Sequence, residues 1–293
     1  MTETNGISDN YLTVNMKPQP ISHWGMQKAM RYVSANLFLY QPIYEVPLPI
    51  FLMRCGSVIN FFMSVIYEAD GELEAAQRGE IPFTGVDPWL KRKEELFLVL
   101  KELDLYHPSI DETLDETTQF WELENKMMRD NIVTRSMLSN AQRLVLGDFL
   151  AAHQIFHRIL NIPLNQERFK AIIAFEILAD LEANLIEYFD DIAENTYNIY
   201  GMFVKLYGND APKYVAQERE HRTKIFRECV ASLPENEREG FNKMFDSLSE
   251  YFYIYYLGMD GISTIKHLTL EKGKFPSPIP IPEPILENNQ HSS

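Results

Sequence analysis

The chain has 293 residues, 45% of them hydrophobic, and a formal net charge of −15, which is the profile of a globular protein with a sizeable core. The negative charge argues against a nucleic-acid backbone or an anionic membrane as partner. Two cysteines do not indicate a disulfide scaffold, and no basic region followed by an apolar core opens the chain, so a cytoplasmic location is expected.

Three segments follow from the distribution of proline and apolar residues. Residues 1–21 are polar and contain Pro18 and Pro20, which is typical of an arm or tail. Residues 22–272 predict one all-α domain, a single bundle of about eight or nine helices. Residues 273–293 have proline at nearly every second position in FPSPIPIPEP, which predicts an extended, polyproline-like tail.

Helical periodicity, with capping residues and proline breaks between the segments, sets the order of the predicted helices. The first begins after Ser22 as N-cap and ends before the prolines of QPIYEVPLP. No apolar run reaches the roughly 18 residues of a membrane span. The remaining predicted helices lie near residues 50–79, 88–105, 120–162, 171–207, 211–231 and 235–264.

The stretch 171–204, AIIAFEILADLEANLIEYFDDIAENTYNIYGMFV, is the most informative part of the chain. It contains seven acidic residues and no Lys or Arg, within an otherwise apolar helical pattern. Such a stripe repels itself, so a metal, an organic cation or arginines from neighbouring helices are expected to neutralise it. At 3.6 residues per turn, one stripe collects most of the acids: Glu176, Asp180, Glu187, Asp191 and Glu194.

Two histidine motifs on flanking helices add to this pattern. Glu218-x-x-His221 places a carboxylate and an imidazole on one helix face, where they can bind one metal ion together. His153 and His157 are four residues apart in FLAAHQIFHRIL, so both rings are also expected on one face.

The segment VAQEREHRTKIF resembles the I-A-x-x-E-x-x-H-x-x-x-F helix of ferritin-like di-iron carboxylate proteins, and also the haem-oxygenase-like bundle of di-iron oxidases. The resemblance covers about residues 171–229. In such proteins a Glu from one helix and E-x-x-H from the next form half of the metal site. The second half is not repeated here, since the earlier helices have no E-x-x-H.

The sequence thus predicts a metal-dependent oxidase that activates O₂ at two iron ions and acts on a small-molecule substrate. Carboxylate and imidazole ligands also leave Mg²⁺ or Mn²⁺ as alternatives. No nucleic acid or membrane is expected as partner, and a homodimer is left open. The predicted metal ligands are Glu187, Asp191, Glu194, Glu218, His221, His153 and His157, with Glu176 and Asp180 in reserve.

Two other hypotheses remain open. Asp70-x-x-x-Glu74 and Asp190-x-x-x-Glu194 resemble the paired acidic motifs of class I isoprenoid enzymes, which imply Mg²⁺ and a prenyl diphosphate. The aromatic cluster near Tyr251 suits the carbocation of that chemistry, whereas basic residues that would bind the diphosphate are missing around both motifs. The second hypothesis is a non-catalytic protein that docks a basic partner through an exposed acidic stripe.

Overall fold

The computed structural model describes residues 20–82, 84–257 and 274–286. These residues form eleven α-helices, one short 3-10 helix and no strand, which confirms the predicted all-α fold. Counting α5 with α6 and α10 with α11 as interrupted single helices gives nine. The helices are α1 (His23–Tyr44), α2 (Leu48–Gln77), α3 (Asp87–Glu102), α4 (Pro108–Asp130), α5 (Arg135–Leu144), α6 (Gly147–Leu160), α7 (Gln166–Glu194), α8 (Ile199–Tyr207), α9 (Ala211–Ala231), α10 (Glu235–Asp246) and α11 (Leu248–Leu257).

The first two helices form the largest helix pair of the bundle. Ser22 caps α1 as predicted, its hydroxyl accepting from the Gly25 N–H at 3.0 Å. Pro47 precedes α2 and leads the chain back along α1. The close approach of the two helices aligns the inner face of α1 with the acidic end of α2.

The central helix is shorter than predicted. The sequence places one helix from about residue 171 to residue 207, but α7 ends at Glu194 because Asn195 adopts a left-handed conformation with φ of 56°. A new helix, α8, then starts after Asn198, whose side chain accepts from the Gly201 N–H. Asparagine tolerates left-handed backbone and caps helices well, and both properties are used here.

The tail, residues 274–286, is extended and packs against the body of the protein. The hydroxyl of Tyr200 donates to the Pro282 carbonyl at 2.5 Å, and the Tyr188 hydroxyl accepts from the Ile285 N–H at 2.8 Å. Phe275 is buried against α11. Three parts of the predicted organisation lie outside the described residues: most of the predicted arm (residues 1–19 of 1–21), the last part of the predicted final helix (258–264) and the end of the tail (287–293).

α2 corrects one expectation. Its length and composition qualify it as a candidate membrane span, with a mean hydropathy of 1.6 over its most apolar 18 residues, although no such run was expected from the sequence. Half of that stretch is buried inside the protein. A core helix meets the same criterion, so no membrane span follows from it.

Candidate functional site

The acidic stripe of α7 faces the interior of the bundle. Glu176, Asp180 and Glu187 line a cavity of about 180 Å³ that runs along eleven residues of the helix. Glu176 is only 5% exposed. The other lining residues come from α1, α2, α6, α7 and α11 and are mostly aromatic: Lys28, Tyr32, Asn36, Leu39, Tyr67, Phe149, Ala179, Ala183, Asn184, Tyr251, Phe252, Tyr255 and Tyr256.

At one end of the cavity, the acidic ends of α2 and α7 face each other. Arg78 of α2 lies 3.5 Å from the Glu74 carboxylate and 3.8 Å from that of Glu194. A surface cleft of about 730 Å³ opens there, and Glu74, Arg78 and Glu194 line it. We call the region between the cleft and the cavity the acidic mouth; it comprises Asp70 and Glu74, which contact Lys28, together with Glu187, Asp191 and Glu194.

Lys28 separates the cleft from the cavity. Its ammonium group lies 2.9 Å from Asp70 and 4.0 Å from Glu74. The rings of Trp24 and Tyr67 complete its surroundings, with centroids 5.0 and 4.8 Å from the Lys28 nitrogen. The chain thus places one of its own cations between carboxylates and aromatic faces, an arrangement that stabilises positive charge. The pKa of Lys28 is raised, because Asp70 and Glu74 outweigh the effect of burial.

Burial and mutual repulsion raise the pKa of several carboxyls at the cavity and the acidic mouth. For Asp180, burial is the main cause, followed by Glu187 and Glu176, and the pKa rises to about 7. Burial likewise raises the pKa of Glu74, Glu187 and Asp191, with neighbouring carboxylates adding to the effect. A bound cation would reverse this, because it stabilises the ionised carboxylates and releases their protons.

The structure brings some of the predicted ligands together and separates others. Glu176 and His153 are in contact, with Oε1 and Nε2 3.1 Å apart. Asp191 is held near the mouth by the Asn198 amide, which donates to its carboxylate at 2.7 Å. Glu194 is exposed at the end of α7. His157 is buried, and its Nδ1 pairs with the Ile162 carbonyl rather than reaching the cavity.

Glu218 and His221 do not join the stripe. Glu218 accepts from its neighbour Arg222 at 2.6 Å, and His221 is exposed on α9. The reason is the packing of α9 on α7, which runs through the Arg219–Glu182 ion pair at 2.6 Å. Glu182 lies outside the stripe in the helical pattern, so α9 contacts a different face of α7. Among the described residues, no three or more His, Cys, Asp or Glu side chains are grouped to hold a metal ion.

The second acidic motif meets the first through Arg78, which lies 3.8 Å from Glu194 and 3.5 Å from Glu74. Glu187 lines the cavity together with Lys28. Gly71, which interrupts the first motif, accommodates Trp24: a Cβ atom there would lie 2.6 Å from the indole ring. Basic side chains expected to be missing near the motifs are present as Lys28 and Arg78.

Sequence reasoning missed the contribution of α1. Lys28, Tyr32 and Asn36 are spaced four residues apart, so they form a stripe on the helix face that packs against the cavity. The four-residue spacing of these polar side chains could have identified this face of α1 from sequence. They line the same cavity as the acidic stripe of α7.

Comparison with known proteins provides no relative: no family model, curated protein or solved structure matches the chain.

Proposed function

We propose that the protein is an enzyme of the class I isoprenoid type, which binds a prenyl diphosphate with Mg²⁺ at the acidic mouth and holds the hydrocarbon chain in the cavity. The observation that carries this proposal is the acidic mouth beside an aromatic-lined cavity: Lys28 contacts Asp70 and Glu74, and it lines the cavity together with Glu187. Such a reaction needs both parts, since a leaving anion and a carbocation form at the same time.

The side chains at the mouth are not arranged as a ready-made metal site among the described residues, but they supply the groups that both ligands bind. Carboxylate oxygens are the ligands that Mg²⁺ prefers, and Mg²⁺ would offset the charge of the departing diphosphate. Lys28 and Arg78 supply N–H donors for phosphate oxygens. Below them, the rings of Tyr67, Tyr255 and Tyr256 face the space where a carbocation would form.

The test is the release of inorganic diphosphate from geranyl, farnesyl and geranylgeranyl diphosphate, with and without millimolar Mg²⁺. We expect Mg²⁺-dependent release that falls at least about 100-fold in Asp70→Asn and Asp191→Asn, because each change removes a carboxylate from the mouth. Glu228→Gln, an exposed carboxylate on α9, is the matched control and should retain the wild-type rate. Absence of release by the wild-type protein from all three substrates would overturn the proposal.

The iron oxidase remains a second candidate because two of its predicted ligands, His153 and Glu176, meet at the cavity wall. Its test is elemental analysis after anaerobic Fe(II) loading. Two irons per chain, lost in His153→Ala but retained in Glu228→Gln, would favour it over the isoprenoid reaction. A protein that takes up no iron on loading would eliminate it. The docking hypothesis has less support, since Glu176, Asp180 and Glu187 line an interior cavity.

A further inference from the structure

We propose that Glu176 is the proton acceptor of the cavity and that His153 and Tyr44 are its positioning residues. This inference rests on the proposed function and assigns its last step. Glu176 removes a proton from the carbocation, at the end of the cavity remote from the acidic mouth.

Three buried side chains form a chain of hydrogen bonds that ends at the cavity. The Tyr44 hydroxyl lies 2.6 Å from His153 Nδ1, and His153 Nε2 lies 3.1 Å from Glu176 Oε1. Burial raises the pKa of Tyr44, so its phenol keeps its proton and donates to Nδ1. His153 therefore carries its proton on Nε2 and donates it to Glu176. This N–H donor holds Oε1 of the carboxylate in place.

The surroundings hold the imidazole in one orientation. His153 is fully buried, and the rings of Tyr40, Tyr44 and Phe156 lie 4.4, 6.0 and 5.8 Å from it, centroid to centroid. A side chain held on all sides in this way orients the group it bonds, as the aspartate of a Ser-His-Asp triad orients the imidazole. Glu176 is thus presented to the cavity with one oxygen held and the other, Oε2, without a hydrogen bond from the described residues.

Unused polar groups near Glu176 also point to a reaction rather than to packing alone. The hydroxyls of Tyr32 and Tyr40 are buried, interact with each other and have no other hydrogen-bond partner among the described residues. Burial raises the pKa of both phenols, and the nearby Glu176 adds to this effect. Buried hydroxyls with so few partners are costly for stability, which is common where function rather than folding selects them.

The position of Glu176 determines which proton it can take. It lies eleven residues before Glu187 on α7, about 16 Å along the helix axis. Glu187 belongs to the acidic mouth, where the diphosphate leaves, whereas Glu176 faces the other end of the same cavity. The proton is therefore taken from the distal part of the prenyl chain, after the positive charge has moved there from the carbon that carried the diphosphate.

The step balances without a co-reactant. The carbon–oxygen bond to the diphosphate breaks, and its electron pair leaves with the diphosphate. A carbon–hydrogen bond next to the final cationic centre then breaks, its electron pair forms a carbon–carbon double bond, and the proton binds Glu176. The products are a hydrocarbon and diphosphate, and Glu176 returns its proton to solvent when the products leave.

The experiment measures diphosphate and hydrocarbon separately, with farnesyl diphosphate and Mg²⁺. In Glu176→Gln, we expect diphosphate release within about threefold of the wild-type rate. The wild-type hydrocarbon should fall at least about tenfold, replaced by an alcohol or another hydrocarbon, because an amide cannot accept the proton. Tyr44→Phe removes only the donor to His153 and should shift the product ratio in the same direction. Glu167→Gln, exposed in the first turn of α7, should change neither quantity.

Each result decides between the two proposals. A wild-type protein without diphosphate release overturns the proposed function and this inference with it. Wild-type release combined with an unchanged hydrocarbon profile in Glu176→Gln and Tyr44→Phe overturns this inference alone. Loss of diphosphate release together with hydrocarbon in a folded Glu176→Gln protein also overturns it, because Glu176 would then act in the first step. Should Glu176→Gln fail to fold, the product ratio of Tyr44→Phe decides: a shifted ratio supports the inference, and an unchanged one overturns it.

Discussion

Arg219 illustrates how a single buried charge joins three segments of this protein. Its guanidinium contacts Glu182 of α7 at 2.6 Å and donates to the Ile279 carbonyl of the tail, also at 2.6 Å. The Ile279 N–H in turn donates to Glu182 at 3.0 Å. Burial raises the pKa of Glu182, and Arg219 counteracts this shift. Without Arg219, the carboxylate would be left buried with one backbone donor.

We therefore expect Arg219→Met to lower the free energy of unfolding by about 3 kcal/mol, since removing one partner of a buried ion pair leaves the other uncompensated. Urea denaturation followed by circular dichroism measures this. Arg227→Met is the matched control on the same helix, because Arg227 is exposed and its hydrogen bond is to Asn242; a change within about 0.5 kcal/mol is expected. Equal effects of the two substitutions would show that the Arg219 contacts contribute no specific stability.

Single residues of the site could be predicted from sequence where one helix carried the whole signal. The stripe of Glu176, Asp180 and Glu187 follows from helical periodicity alone, and the structure places all three at the cavity. Lys28 could not be found in this way, because its role depends on which helix packs against α2. The spacing of residues along one helix predicts the face on which a side chain lies. Which residue of another helix that side chain contacts depends on tertiary packing.

At the scale of helices, α1 and α10 cross with almost no space between their backbones. A Cβ atom on Gly240 would lie 2.6 Å from the Pro42 carbonyl oxygen and 3.3 Å from the Ile43 Cα. These are backbone atoms, which cannot move without displacing α1. Gly56, in the middle of α2, differs: the nearest atom to a Cβ there is a Val33 methyl group at 3.9 Å.

Gly240→Ala should accordingly lower the free energy of unfolding by about 1–3 kcal/mol through overpacking. Gly56→Ala should raise it by about 0.5–1 kcal/mol, because alanine favours the helix and has room for its methyl group. Thermal and urea unfolding of the two variants give the comparison. Stabilisation of both proteins would mean that α1 and α10 separate easily, contrary to the close crossing of their backbones.

Helix existence was predictable from sequence, but several helix ends were not. The segment ENTYN contains neither proline nor glycine, so no sequence break predicts the end of α7 at Glu194. The end is set by Asn195 and Asn198, two residues that the periodicity groups with the acidic stripe.

For the molecule as a whole, acidic side chains lie inside as well as on the surface. Burial raises the pKa of Asp148 and Asp180 to about 7, and of Glu124 to about 8. In the unfolded chain these groups ionise near pH 4. Between that pH and the folded pKa, the folded protein holds protons that the unfolded chain has lost, so its stability falls as the pH rises. His157 has the opposite sign, but its lowered pKa of about 4 restricts its effect to pH values below about 6.5.

His157 does not contribute between about pH 6.5 and 8, so this window reports on the carboxyl groups. We expect the free energy of unfolding to fall steadily as the pH rises through it. Glu124 gives the sharpest test because it is 5% exposed and has the highest of these pKa values. Glu124→Gln removes this titrating carboxyl, and it should reduce the pH slope of the free energy of unfolding by up to about 1.4 kcal/mol per pH unit. Glu122→Gln, exposed on the same helix, should leave the slope unchanged. Urea denaturation at several pH values measures the slopes. A stability that is constant or rises from pH 6.5 to 8 would mean that these carboxyls are ionised in the folded protein, with their charge neutralised inside the bundle.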